Sequence, residues 1–222
     1  MSQAVEQDQS SGPAGSVTLV LGGVRSGKSR FAQDLAGQIG GDDVLFVATA
    51  QASFQDQPAD EEMTRRIDHH RRSRPSAWST LEQPRDVGQA ILQTSPLASV
   101  VLVDCLTLLV SNVICDGDHS KSGLHDLEAR VIAEVDALIQ VAAQRPTHLI
   151  IVSGEVGCGI VPEHPLGRTF RDLLGLANQR LAASDATTYW MVAGLAINAT
   201  AIASSTEQAA QQIQHLANGA PQ

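Results

Sequence analysis

Residues 22–29, Gly-Gly-Val-Arg-Ser-Gly-Lys-Ser, match the pattern GxxxxGK[ST]. They stand between an apolar run, Val17 to Leu21, and the segment SRFAQDLAGQI, whose helical spacing stops at Gly40 and Gly41. Strand, glycine loop and helix in that order form a phosphate-binding unit: backbone N–H groups of Gly22, Gly23, Val24, Arg25, Ser26 and Gly27 surround phosphate oxygens. Lys28 then reaches the β and γ phosphates, and the Ser29 hydroxyl suits Mg²⁺. The chain has only two lysines, so one at this position by accident is improbable. Such a unit is built into sheets of parallel strands, and this limits the folds open to the rest of the chain.

The remaining pattern agrees with that limit. Apolar runs at Val44 to Ala48, Val100 to Asp104, Leu149 to Val152 and Tyr189 to Ala193 read as buried strands, with a shorter one at Trp78 to Glu82. Helical spacing occupies Glu61 to Ser73, Leu124 to the residues before Pro146, and Pro165 to Ala183. Strands alternating with helices predict an α/β fold of the P-loop NTPase (RecA-like) kind, a single domain with a mainly parallel sheet covered on both faces. Residues 1–16 read as a flexible tail, 17–203 as the phosphate-loop domain and 204–222 as an Ala/Gln-rich segment of uncertain order. The tail has neither the basic start nor the apolar centre of a secretory signal.

Charge and composition exclude several classes. Fifteen Lys and Arg face twenty-four Asp and Glu, a formal charge of −9 that repels nucleic acid and anionic lipid. Aromatic residues are 3% of the chain, too few for base-stacking platforms. Residues 97–115 are apolar enough to suggest a bilayer span, but Asp104 in their middle favours a buried strand, turn and helix. The three cysteines lack metal or disulfide spacing and point to a reducing cytoplasm.

In a parallel sheet, ligands bind beyond the carboxyl ends of the strands. Gly22 to Ser29, Thr49 to Gln51 (Thr49, Ala50, Gln51), Glu82, Asp104 and Gly154 to Glu155 all fall there by sequence. Asp104 fits the acid that holds Mg²⁺ through water, though an N-cap for the next helix is also open to it. The segment from Asp60 to Arg74 carries five arginines and four acids. On a helix, His69 projects among guanidinium groups, which lower an imidazole's pKa and favour its neutral, nucleophilic form. A solvated helix laced with charges, with His70 against the sheet, fits the spacing more simply. Gly154 to Pro162 and the helix with Arg168, Arg171, Asn178, Gln179 and Arg180 read equally as pocket wall or as turn and exposed face.

Together the runs GGVRSGKSRFA, VLFVATA, DEEMTRRIDHHRRSRPSAWSTLE, VVLVDCLTLLVSN and EVGCGIVPEHPLGRTFRDLLGLANQRLA resemble the bifunctional adenosylcobinamide kinase / adenosylcobinamide-phosphate guanylyltransferase family of cobalamin biosynthesis. The resemblance extends from about Val17 to Ile197. It implies that ATP or GTP phosphorylates the aminopropanol hydroxyl of adenosylcobinamide, after which GTP gives GMP to that phosphate through a GMP-histidine at His69. It also implies nucleotide contacts at residues 22–29 and 49–51, at His70, Arg71, Arg72 and Ser73, and at Glu82 and Asp104. Mg²⁺ and a homotrimer belong to the same expectation. The sequence departs from the family at Gly154, where Asn is usual, and in a longer loop between Ala50 and Asp60. The rival readings are a monofunctional kinase, which needs Lys28 and Asp104 but not His69, and a RecA-like regulatory ATPase, which needs a partner-binding surface.

Overall fold

The computed structural model describes residues 15–51, 65, 71, 74–116 and 123–219. A seven-stranded sheet runs in the order β3-β2-β4-β5-β1-β6-β7. Its strands are β1 (Ser16–Gly22), β2 (Val44–Ala48), β3 (Ser79–Glu82), β4 (Val100–Asp104), β5 (His148–Gly154), β6 (Thr187–Val192) and β7 (Leu195–Asn198). The first six are mutually parallel and β7 is antiparallel to β6. The strand that enters the phosphate loop, β1, is separated from the strand that ends at Asp104 by β5 alone.

The helices are α1 (Lys28–Gly40), α2 (Val87–Gln93), α3 (Leu106–Ile114), α4 (Leu124–Gln144), α5 (Pro165–Ala182), α6 (Ala199–Ile202) and α7 (Thr206–Gly219). Strand side chains alternate between two apolar layers, which explains why the central strands are apolar throughout rather than at every second residue. Leu45, Val47, Val101, Val103, Leu149 and Ile151 pack with residues of α2, α3, α4 and α5, while Phe46, Leu102, Ile150 and Val152 pack with Ala32 and Ala36 of α1. The periodic residues Leu127, Val131, Val135, Leu138, Val141 and Ala142 are the buried stripe of α4. Residues 97–115 fold as β4 and α3 inside this core, and among the described residues no helix is long and apolar enough to cross a membrane.

Three expectations change. The last strand is not 189–193: the chain turns at Ala193 and Gly194, both at positive φ, and returns as β7. Val192 pairs with Leu195, so this is a two-residue hairpin turn, and a turn of that kind depends on left-handed residues that an Ala-Gly pair signals only weakly. The Ala/Gln-rich end contains α7. Trp78 precedes β3 instead of starting it; it is buried, and its indole N–H donates to the Gly41 carbonyl at 3.0 Å. The helix expected over 61–73 lies outside the described residues except for Arg65 and Arg71, which are helical.

Candidate nucleotide site

The parallel strands bring their carboxyl ends to one edge. Gly22 pairs with Gly154 and Met191, Ala48 pairs with Glu82 and Asp104, and Asp104 pairs with Val152, so the predicted groups share one rim although they are far apart in sequence.

The phosphate loop is fastened on two sides. Glu155 N–H donates to the Gly22 carbonyl and Gly194 N–H to the Ser26 carbonyl, each at 3.0 Å. Gly27 takes φ 95° as the residue before α1, a left-handed conformation that a side chain resists. The residue before α1 supplies no side-chain cap, which leaves the first N–H groups of the helix to the kind of anion that a helix N-terminus accepts. Ser26 Oγ is buried and has no hydrogen-bond partner among the described residues. Lys28 Nζ donates to the Gly23 carbonyl at 2.6 Å. Burial pulls the Lys28 pKa below its ordinary value, and the fields of Cys105 and Asp104 oppose that fall. The Cys105 thiol is itself pushed up to about 12, by burial first and then by Asp104, so at neutral pH it is uncharged and Asp104 supplies the opposing field.

Thr49 is a fastener. Its buried hydroxyl donates to the Cys105 carbonyl and accepts from the Cys105 N–H, both at 2.8 Å, which ties the end of β2 to the start of α3. Asn112 Nδ2 donates to the Thr49 and Pro84 carbonyls at 2.8 and 2.9 Å, bringing the exits of β2 and β3 together. Ala50 and Gln51 follow, half-buried. Arg71 Nη2 donates to Glu82 Oε1 at 2.5 Å, so these two expected residues meet as an ion pair. His69, His70, Arg72 and Ser73 lie outside the described residues.

Sequence reasoning missed Arg74 as a site residue. Its guanidinium lies 3.8 Å from the centroid of the Phe46 ring, its pKa is lowered first by burial, and it feels Asp104, Arg71 and Glu82. The arginine run beside His69 contained the signal, but spacing gave no reason to separate Arg74 from its solvated neighbours. For the stretch beyond β5, the wall-or-turn question resolves toward a braced turn. Arg171 donates to the Gly157 and Gly159 carbonyls and Arg168 to those of Pro162 and Glu163, so both guanidinium groups hold loop backbone. Buried Asn178 takes part as well: its Nδ2 donates to the Gly154 carbonyl at 3.1 Å, and its Oδ1 accepts from Ser153 Oγ at 2.6 Å.

The Asp104 carboxylate and the Ser29 hydroxyl are hard oxygen donors. Among the described residues no three or more His, Cys, Asp or Glu group into a metal cage. Two donors of this type suit an ion such as Mg²⁺, which completes its shell with phosphates and water rather than with protein alone.

A family model described as cobinamide kinase / cobinamide phosphate guanyltransferase matches residues 18–199. The bifunctional adenosylcobalamin biosynthesis protein CobU of Escherichia coli is 38% identical over 183 residues, covering 81% of this chain and 97% of that protein. The protein of the same name from Salmonella typhimurium is 36% identical over 183 residues, with the same two coverages. The bifunctional adenosylcobalamin biosynthesis protein CobP of Pseudomonas aeruginosa is 38% identical over 178 residues, covering 80% of this chain and 93% of that protein. With nearly the whole length of such relatives matched, and a phosphate loop at the rim where nucleotide chemistry needs one, the chain belongs to the cobinamide kinase / cobinamide phosphate guanyltransferase family of bifunctional enzymes of adenosylcobalamin biosynthesis.

Proposed function

We propose that one nucleotide cradle serves two transfers in turn. In the first, ATP or GTP phosphorylates the aminopropanol hydroxyl of adenosylcobinamide; in the second, GTP gives GMP to the resulting phosphate through a covalent GMP on His69, releasing pyrophosphate. The observation that carries this reading is the single rim on which the fastened loop, Lys28, Asp104 and the Arg71–Glu82 pair converge, Arg71 being two residues after His69 in the sequence. The N–H groups of residues 22–29 and Lys28 hold phosphate oxygens. Ala50, Gln51, His70, Arg71, Arg72, Ser73 and Glu82 hold the rest of the nucleotide, while Thr49, buried and tied to Cys105, positions that edge. Ser29 and Asp104 hold Mg²⁺, which when bound offsets charge on the phosphates.

The covalent detour has a physical reason. Direct attack of one phosphate on another brings two anions together, whereas a neutral imidazole attacks the α-phosphorus without that repulsion. Lys28 and the neighbouring guanidinium groups then stabilise the charge that moves onto pyrophosphate.

A homotrimer completes the reading. It is supported by Trp190, Val192, Leu195, Ile197 and Ile202, apolar side chains left exposed on and beside the β6–β7 hairpin. Work in the cytoplasm is supported by Cys105, Cys115 and Cys158, none of which forms a disulfide.

Intact-protein mass after incubation with GTP and Mg²⁺, handled at neutral or mildly basic pH, tests the central step. Wild type is expected to gain the mass of one GMP and His69→Ala to gain none. An adduct of equal yield in both proteins moves the nucleophile to another residue. Absence of adduct from both, with GTP bound, leaves a kinase alone.

A further inference from the structure

The two reactions differ in what the acceptor must lose. Phosphorylating a hydroxyl requires its proton to go somewhere as the new bond forms; transferring GMP to a phosphate does not, because that acceptor is already an anion. A bifunctional site of this kind therefore needs a base for one of its reactions only, and His69, assigned to the other, leaves that place open.

Three carboxylates stand at the carboxyl ends of the sheet. Glu82 is committed to Arg71. Asp104 lies in the fields of Lys28 and Arg74. Glu155, directly after β5, forms no ion pair among the described residues. Glu82 is engaged by Arg71 and Asp104 faces two cations, so of the three Glu155 is the one that offers a carboxylate oxygen to an incoming hydroxyl.

Its position is built. β5 lies between β1 and β4, so Glu155 emerges between the phosphate loop and Asp104, and its own N–H is bonded to Gly22, the first residue of that loop. One carboxylate oxygen, Oε1, accepts from the Gly157 N–H at 2.5 Å. A Cβ at position 157 would lie 2.8 Å from that oxygen, so the glycine is what lets the backbone close on the carboxylate. Arg171 Nη2 holds the Gly157 carbonyl at 2.6 Å from behind. Thr107 Oγ1 accepts the Gly154 N–H at 2.7 Å, and Asn178 holds the Gly154 carbonyl, so the strand end is braced on both its polar groups. The sequence run EVGCG and the later Arg171 and Asn178 thus converge on the orientation of one side chain, whose second oxygen, Oε2, carries no partner among the described residues.

We infer that Glu155 is the general base of the phosphorylation step, with Arg171 as its positioning residue through the 155–157 turn. The acceptor hydroxyl oxygen bonds to the γ-phosphorus as the bond from that phosphorus to the β–γ bridging oxygen breaks. The electron pair leaves with the nucleoside diphosphate, and the hydroxyl proton passes to Glu155 Oε2. The inference rests on the proposed phosphorylation of a hydroxyl; wild type that makes no adenosylcobinamide phosphate from adenosylcobinamide and ATP overturns that parent reading instead.

The test compares wild type, Glu155→Gln and Glu155→Asp in two assays: phosphorylation of adenosylcobinamide by ATP across pH, and guanylyl transfer from GTP to supplied adenosylcobinamide phosphate. Glu155→Gln is expected to lower the phosphorylation kcat by about a hundredfold or more and to abolish the acid limb of its pH profile. Guanylyl transfer is expected to stay within about twofold of wild type, and Glu155→Asp to recover part of the lost rate with its acid limb. Arg171→Ala is expected to slow phosphorylation in the wild-type background and to add little to Glu155→Gln. Unchanged phosphorylation with an unchanged acid limb in Glu155→Gln overturns the inference. So does an equal fall in both reactions, which is the signature of a residue that only supports the loop.

Discussion

At the scale of single residues, the rim sets charge against burial. Lys28 sits where burial favours the neutral amine and Asp104 favours the ammonium, and its nitrogen is held meanwhile on the Gly23 carbonyl. His148 shows the same conflict at the far edge of the sheet, where nothing functional is expected. Its ring nitrogens lie within hydrogen-bond reach of the Ser16 and Thr18 hydroxyls, and burial lowers its pKa. The folded protein therefore binds a proton there less readily than the unfolded chain. The stability this confers is complete above the unfolded histidine's value, near 6.5, and is lost as the pH falls through that value toward the lowered one. Urea midpoints at pH 7.5 and pH 5.5 check the sign: the midpoint is expected to fall on acidification, and to fall less in His148→Gln. An equal fall in the two proteins assigns the acid sensitivity to other groups.

At the scale of elements, short helices are held by side chains from their neighbours. α2 is seven residues long and begins after Asp86, which lies at positive φ and whose side chain makes no cap. Its opening N–H groups, those of Asp86 and Val87, donate instead to the two carboxylate oxygens of Glu134, at 2.5 and 3.2 Å. A cap borrowed from α4 joins the two helices where the Gly88 backbone lies against Ala137. Glu134→Ala is expected to cost about 1–2 kcal/mol, read from the urea midpoint, and to leave nucleotide binding unchanged. No measurable loss would mean that water replaces the carboxylate. The sequence did not announce this device, because a cap supplied from 47 or 48 residues away leaves no local pattern. By contrast α4 and α5 were legible, since each buries a stripe that recurs at three and four residues. The β6–β7 hairpin was not: four residues with three exposed carry no alternation that burial could impose.

At the scale of the whole molecule, the proposed function has one phosphate loop serve two nucleotide reactions. A non-hydrolysable ATP analogue is accordingly expected to inhibit phosphorylation and GMP transfer with inhibition constants that agree within about threefold. Constants differing by tenfold or more would indicate a second cradle. The loop, Asp104 and the rim were readable from sequence because a parallel sheet fixes where strands must end. Thr49, Asn112 and Asn178 were not readable as braces, since their polar atoms act on backbone from distant segments. That bracing has a consequence for timing. The seams from Gly22 to Glu155 and from Ser26 to Gly194 join the loop to other segments of the sheet edge. Its ordering therefore accompanies folding and does not recur at each encounter with a nucleotide. The backbone of the loop is thus set before a nucleotide arrives, and the binding of a triphosphate does not have to offset the ordering of those residues.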